Sequence, residues 1–307
     1  MDEHTAVLVD EVLEALAPAG DGFYVDATFG RGGHTARLLQ ALGAEGRVLA
    51  IDRDPQAIAF GRQAFANEMR LALIHAPFSQ LQTVVRTHAG GRAVSGILLD
   101  LGVSSPQLDE ADRGFSFGKD GPLDMRMDPT RGEPVASWLA RAGEDDMRKV
   151  IAELGEERFA RRVAGAIAAS RRETPITRTA QLAAIVARAV RTREPGKHPA
   201  TRTFQALRMF INDELGELHL ALAAAFDVLA PGGRLAVISF HSLEDRVVKE
   251  FMNSKSKVDP VFAGLPLVPA QARTTMSLHG RKRRAAAEEV ARNPRARSAL
   301  LRIAEKL

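Results

Sequence analysis

The sequence has no cysteine in its 307 residues. That excludes disulfides, thiolate zinc sites, iron–sulfur clusters and cysteine nucleophiles. Aromatic residues are scarce, with 14 Phe, one Tyr and one Trp. Extended stacking along a single nucleic-acid strand needs more aromatic platforms than this. No apolar run approaches the roughly 20 residues of a membrane-spanning helix. The first residues include Asp2, Glu3, Asp10 and Glu11, and no apolar core of a secretory signal. A soluble, cytoplasmic protein with no membrane partner is therefore expected. Internal repeats and low-complexity tracts are lacking as well.

What remains is the composition of a globular chain, 45% hydrophobic and 26% charged. The length suits one large domain or two smaller ones. The net charge of +4 is unevenly spread. Residues 158–208 hold 12 Lys/Arg against 2 Asp/Glu, and residues 271–307 hold 10 against 3. Everything else is acidic, with 20 Lys/Arg against 33 Asp/Glu. One basic block reads equally well as a solvated helical surface. Two blocks on an acidic protein fit a polyanionic partner better.

Along the first 100 residues strand and helix signals alternate. Residues 5–16 carry a helical face of Val9, Val12, Leu13 and Leu16. Strands are expected at 23–27, 47–51, 71–75 and 96–99, with helices between them. Short apolar strands alternating with helices indicate a parallel sheet. After Asp100 the rhythm stops. Residues 102–132 read as loop, and helices follow at about 134–143, 145–154, 156–172 and 178–192. A helix from about 201 to 215 and another reaching 229 precede a Pro-Gly-Gly turn and a strand at 234–240. A last strand is expected at 299–304 and a weaker one at 273–278. The expected organisation is an α/β core, residues 1–106 and 201–307, with an inserted helical domain at 107–200.

Three strand ends carry the chemistry. Asp26-Ala27-Thr28-Phe29-Gly30-Arg31-Gly32-Gly33-His34 links a strand to a helix. Glycines there let a ligand approach the backbone, and the helix start offers free N–H groups. The dinucleotide pattern Gly-x-Gly-x-x-Gly is incomplete, because Thr35 stands at its last position. Asp52 ends the second strand, where a carboxylate accepts hydrogen bonds from ribose hydroxyls. A dinucleotide and S-adenosylmethionine both suit that geometry. Asp100 ends the fourth strand and opens Asp-Leu-Gly-Val-Ser-Ser-Pro-Gln, the last residue being Gln107. A carboxylate there can accept the hydrogens of an exocyclic amine and favour its nucleophilic, pyramidal form. Methylation at carbon 5 of a pyrimidine normally uses a cysteine, which this chain lacks. A simple strand-end acid with a turn is the plainer reading of each motif taken alone.

Together the motifs carry a resemblance. DATFGRGGH, AIDRDPQAI from Ala50, LLDLGVSSPQLD from Leu98, RGFSF from Arg113 and GPLDMRMDP from Gly121 occur in order. GEERFA from Gly155, KHPATRTFQALR from Lys197, ISFHSLEDR from Ile238 and NPRARSALLRIAEK from Asn293 follow. This set resembles the bacterial small-subunit ribosomal RNA cytosine-N4 methyltransferases through most of the chain. The resemblance implies S-adenosylmethionine as methyl donor and a Rossmann-like, mostly parallel doubly wound sheet with a helical insertion. It implies that Gly32, Gly33 and His34 hold the donor, with Asp26 and Gly30 in the same segment. Asp52 would take the ribose, Phe78 would lie beside the adenine, and Asp100 and Gln107 would complete the pocket. The implied substrate is a decoding-centre cytidine of 16S rRNA in the small subunit.

General amino-methyltransferases follow the strand-four acid with Pro-Pro and an aromatic that stacks on the flipped base. Here Leu-Gly-Val-Ser-Ser takes that place. Phe115, Phe117, Phe240 and His241 are candidates for the stacking group, with core packing the plainer role for each phenylalanine. Asp100 and His198 are the catalytic candidates. Lys197, Arg202 and Arg208, then Arg281, Lys282, Arg283 and Arg284, are candidates for RNA phosphate. Asp124, Arg126 and Asp128 have poor spacing for a metal and read as a lid or substrate loop held by ion pairs, so no metal is expected. Ser242, with Asp245 three residues later, reads as a helix cap in preference to part of a hydrolase triad. A methyltransferase for another RNA or a small-molecule amine, and a non-catalytic RNA-binding protein, stay open as alternatives. So does a homodimer.

Overall fold

Runs of aliphatic and β-branched residues, three of them closed by an aspartate, form a sheet whose central strands are buried on both faces. The computed structural model describes residues 6–190, 198–258, 260–262, 269 and 272–307. In chain order, α1 (Val9–Leu16), β1 (Phe23–Asp26), α2 (Gly33–Ala41) and β2 (Arg47–Asp52) come first. Then follow α3 (Pro55–Ala64), β3 (Leu71–His75), α4 (Leu81–His88) and β4 (Val94–Asp100). Helix α3 starts where Asp54 accepts the Gln56 N–H at 2.9 Å and Pro55 takes the first helical position.

Helices α5 (Ser105–Asp109), α6 (Val135–Arg141), α7 (Glu144–Gly155), α8 (Ala160–Glu173), α9 (Thr179–Ala189) and α10 (Thr201–Ile211) fill the middle of the chain. Helix α11 (Glu214–Val228), β5 (Leu229–Ser239), α12 (Ser242–Ser256), β6 (Met276–Leu278), β7 (Arg283–Arg284), α13 (Ala287–Arg292) and β8 (Leu300–Lys306) complete it. Two units result, one from Met1–Gly102 with Leu215–Leu307, the other from Val103–Glu214.

In the first unit the strand order is β3-β2-β1-β4-β5-β8-β6, with β7 also paired to β8. The five strands from β3 to β5 are parallel, and β8 runs antiparallel to β5, β6 and β7. Alternate residues go to opposite faces. Val25, Leu49, Ile97, Leu99, Leu235 and Val237 join α4, α11 and α12 in one core layer. Tyr24, Val48, Leu98, Ala236 and Ile238 join α1 and α2 in the other. A sheet covered by helices on both faces is the doubly wound, Rossmann-like arrangement read from the sequence.

Several details differ from the sequence reading. Pro231, Gly232 and Gly233 are not a turn before the strand: β5 begins at Leu229, and its pairing with β4 shifts register across these residues. Helix α13 and strand β7 have no periodic apolar pattern and were not foreseen. The second unit is wider than residues 107–200, because α10 packs with α7. Gly155, the last residue of α7, makes this contact: a Cβ there would come 2.6 Å from the Arg202 carbonyl oxygen and 3.2 Å from Ala206 Cβ. The segment of Asp124, Arg126 and Asp128, expected to be a lid or substrate loop held by ion pairs, has an ion pair but is built into this unit's core. Leu123, Met125 and Met127 are buried beside Trp138 and Ile151. The Arg113 guanidinium donates to the Met127 carbonyl at 2.9 Å, and Arg126 pairs with Asp124 at 2.7 Å.

Gly155→Ala sets two effects against each other. Alanine gains about 1 kcal/mol of helix propensity, whereas forcing a methyl against a backbone carbonyl costs about 1–3 kcal/mol. The clash at 2.6 Å dominates, so the variant unfolds at lower urea concentration than wild type when followed by Trp138 fluorescence.

Candidate active site

The strand order reverses between β1 and β4, and open α/β sheets bind ligands at the carboxyl ends beside such a switch point. Asp26, Asp52 and Asp100 end β1, β2 and β4. Asp26 is buried and accepts the Thr35 hydroxyl at 2.7 Å and the Thr28 N–H at 3.1 Å. Burial pushes its carboxyl above the usual range, against the pull of His34 and Thr35. Asp52 accepts the Gly30 N–H at 2.7 Å and the Asp54 N–H at 2.8 Å. Burial pushes it up to about 6, with those two N–H groups opposing the rise. Each of its oxygens has lone-pair capacity for a further donor such as a ribose hydroxyl.

Asp100 is placed by its own backbone, whose N–H donates to Thr28 Oγ1 at 2.7 Å. Thr28 therefore ties the end of β4 to the end of β1. The Asp100 Oδ1 is buried without a hydrogen-bond partner, and its Oδ2 lies 3.5 Å from His34 Nε2. Both His34 ring nitrogens are also buried without a hydrogen bond of ordinary geometry, so the contact with Asp100 is a long one. Burial works against an imidazolium at His34, but Asp100, Asp26 and Glu289 outweigh it and hold its pKa above the ordinary value.

Gly30 and Gly32 have φ of 54° and 73°, the left-handed region that suits glycine. A Cβ on Gly32 would meet the Phe29 ring at 2.7 Å, and one on Gly33 would meet Ala6 Cβ at 2.8 Å. Gly33 opens α2, so the first-turn N–H groups are available to a ligand. Phe78 sits half-buried in a short turn after β3, with its inner side on the core. Orphaned polar atoms on Asp100 and His34, an accepting carboxylate on Asp52 and a glycine turn with free N–H groups fit the polar parts of a nucleoside ligand.

Gln107 falls in the second unit. It is buried there, and its Oε1 accepts the Ser104 N–H at 2.9 Å in a capping box that starts α5. In the same unit His198 stacks on Phe117 with centroids 4.5 Å apart, and Phe204 meets Phe117 edge-on. His198 Nδ1 also accepts the Ala200 N–H at 3.2 Å. Phe115 is core.

Arg208 is not a free phosphate donor. Its guanidinium makes a bidentate pair with Glu214 at 2.7 and 2.8 Å. Arg202 donates to the Glu156 carbonyl. Lys197 lies outside the described residues. Phe240 packs against the first unit's core. His241, not Ser242, caps α12, with Glu244 closing the box, while Asp245 pairs with Arg302 at 2.7 Å.

The C-terminal basic run divides. Arg283 forms a bidentate pair with Glu14 at 2.9 Å and a similar length, whereas Arg281, Lys282 and Arg284 are exposed. Arg281 and Lys282 line one wall of a shallow groove. Lys249 and Asn253 of α12 line the other, a contribution invisible in sequence because about 30 residues separate them from the run. Thr28 and Thr35 carry no signal of their own, although both lie in or beside the glycine motif.

These features define a doubly wound α/β protein with its polar groups gathered at the carboxyl edge of the sheet. The chain belongs to the MraW methylase family, whose model matches residues 1–307. It is an S-adenosylmethionine-dependent methyltransferase, and the family supports RNA as its substrate class. Among solved structures it is similar to an rRNA methylase from Streptococcus thermophilus, 14% identical, with 97% of this chain and 93% of that chain covered and a TM-score of 0.43. It is also similar to an S-adenosylmethionine-dependent O-methyltransferase from Thermotoga maritima, 9% identical, with 100% and 68% covered and a TM-score of 0.43. Membership rests on the family match. Among the described residues no helix is long and apolar enough to cross a membrane.

Asp52 gives the site a pH signature. Its folded pKa of about 6 lies above the 3.8 of an ordinary aspartate. The folded state therefore binds the extra proton, and this group's contribution to stability falls as pH rises from about 4 to 6. Asp52→Asn has no such proton, so its stability relative to wild type rises across that window by up to about 3 kcal/mol. Urea denaturation at several pH values checks this; a difference that stays flat would contradict it.

Proposed function

We propose that this protein methylates the exocyclic N4 amine of a decoding-centre cytidine in 16S rRNA of the small ribosomal subunit. The observation that carries the reading is the orphaned Oδ1 of Asp100 at the end of β4. A buried carboxylate oxygen with no partner suits a donor supplied by a ligand, and an exocyclic amine is such a donor. S-adenosylmethionine supplies a methyl group on a positively charged sulfur. The Asp100 carboxylate accepts an amine hydrogen and draws the nitrogen lone pair out of conjugation with the ring. Asp52 accepts ribose hydroxyls, the first-turn N–H groups of α2 and the Gly30–His34 turn hold the polar groups of the donor, and Phe78 lies beside the adenine.

The nitrogen attacks the methyl carbon in line as the carbon–sulfur bond breaks, releasing the neutral thioether and, to solvent, one amine proton, so no enzyme nucleophile is needed, in keeping with the absence of cysteine. Alignment of the reacting atoms supplies much of the rate. Exposed Arg281, Lys282 and Arg284 bind RNA phosphates, and the stacked Phe117–His198 pair offers an aromatic surface to a base. Another RNA or a small-molecule amine is the second reading; the exposed basic run favours RNA.

Asp100→Ala lowers methyl transfer to small-subunit RNA at least about a hundredfold while its thermal melt and circular dichroism stay native. Near-normal transfer by that variant would remove Asp100 from the mechanism. Replacing Arg281, Lys282 and Arg284 by Ala weakens RNA binding and reduces the slope of log affinity against log salt by about 0.7–0.9 for each phosphate no longer neutralised. Filter binding over a salt series measures it, and an unchanged slope would refute the phosphate role.

A further inference from the structure

His34 is buried on the first turn of α2, with neither ring nitrogen hydrogen-bonded. The charged groups facing it come from three other elements: Asp100 from β4 at 3.5 Å, Asp26 from β1 and Glu289 from α13. Glu289 is held there by the Leu8 N–H at 2.8 Å. Asp52 acts on this group through its repulsion of Asp26. The helix N-terminus and burial disfavour a proton on the imidazole, whereas the carboxylates favour it. The carboxylates prevail, and the His34 pKa lies above its ordinary value.

The donor and the product of the reaction differ by one methyl group and one positive charge. Whatever preference the site has for one over the other therefore depends largely on its own charge. The acidic strand ends favour the sulfonium. A proton on His34 cancels one of those negative charges at the carboxylate to which the reacting methyl is brought. We propose that the charge state of His34 sets the preference of this site for the sulfonium donor over the neutral thioether product. Neutral His34 leaves the acidic edge intact and favours the donor; protonated His34 erodes that preference and slows exchange of product for fresh donor. His34 thus acts through Asp100 as a specificity-determining residue and need not touch the sulfur. The inference rests on the reading that the donor binds at the Asp100 edge.

Linkage makes the effect reciprocal: a ligand bound less well by the protonated site must lower the His34 pKa. The test uses the full chain with S-adenosylmethionine and S-adenosylhomocysteine as probes. Calorimetry from about pH 5.5 to 8.5 gives the ratio of the two affinities. NMR titration gives the His34 pKa free and with each ligand, with the resonance assigned by its loss in His34→Gln. The ratio rises about tenfold towards the donor through the His34 titration, and the His34 pKa is about one unit lower with donor than with product.

In His34→Gln, or in His34→Asn should the first variant fold poorly, this step is absent and only the smaller change from Asp52 remains. Equal His34 pKa values with donor and product, or an unchanged step in both variants, would overturn the inference while leaving the donor site in place. If neither ligand moves the His34 resonance at all, the donor does not bind at this edge, and the inference fails together with the reading beneath it.

Discussion

Three aspartates end neighbouring strands at one edge of the sheet, and their mutual repulsion is the constraint around which the rest of the site is arranged. Asp100 raises the proton affinity of Asp26, and Asp26 that of Asp52, on top of the larger effect of burial. The fold holds them with hydrogen bonds. Thr35 and the Thr28 N–H satisfy Asp26, two backbone N–H groups satisfy Asp52, and His34 faces Asp100. Concentrating negative charge there costs stability. It also makes an acidic sheet edge, which under the proposed reading suits a positively charged sulfur and polar hydrogens on a substrate.

The glycine-rich turn answers two demands together. Its left-handed residues let the chain reverse at the end of β1, which puts the Gly30 N–H on Asp52. Gly32 and Gly33 have no room for a side chain against Phe29 and Ala6. Neither demand is met by a larger residue, so the turn that shapes the pocket is also a packing element. The same economy recurs at Thr28, whose hydroxyl accepts the Asp100 N–H and so couples the two strand ends on either side of the switch point.

Much of this was legible in the sequence. Strand ends at Asp26, Asp52 and Asp100 follow from short apolar runs closed by an acid, and the parallel order follows from their alternation with helices. The partners of those acids were less legible. His34 was readable as part of a motif, but its unpaired ring and its approach to Asp100 come from pairing strands about 72 residues apart in the chain. Arg208 looked like a phosphate ligand on a polar helix face. Glu214, beyond the end of the same helix, takes its guanidinium. Arg283 could not be told from its basic neighbours until β7 placed it beside Glu14 of α1. Residues 102–132 read as loop, and most lack regular structure, but the burial of Leu123, Met125 and Met127 among them was not legible from glycine and proline punctuation.

The absence of cysteine links composition to mechanism. A chain without a thiol has no ordinary route to carbon 5 of a pyrimidine, and the proposed reading gives the orphaned carboxylate oxygen an amine as its partner. The most direct test is the chemical identity of the product. Small-subunit RNA incubated with the protein and S-adenosylmethionine is digested to nucleosides and resolved by chromatography with mass detection. The account predicts new N4-methylcytidine. Methyl on carbon 5 of cytidine, on a ribose, or on a different base would contradict it.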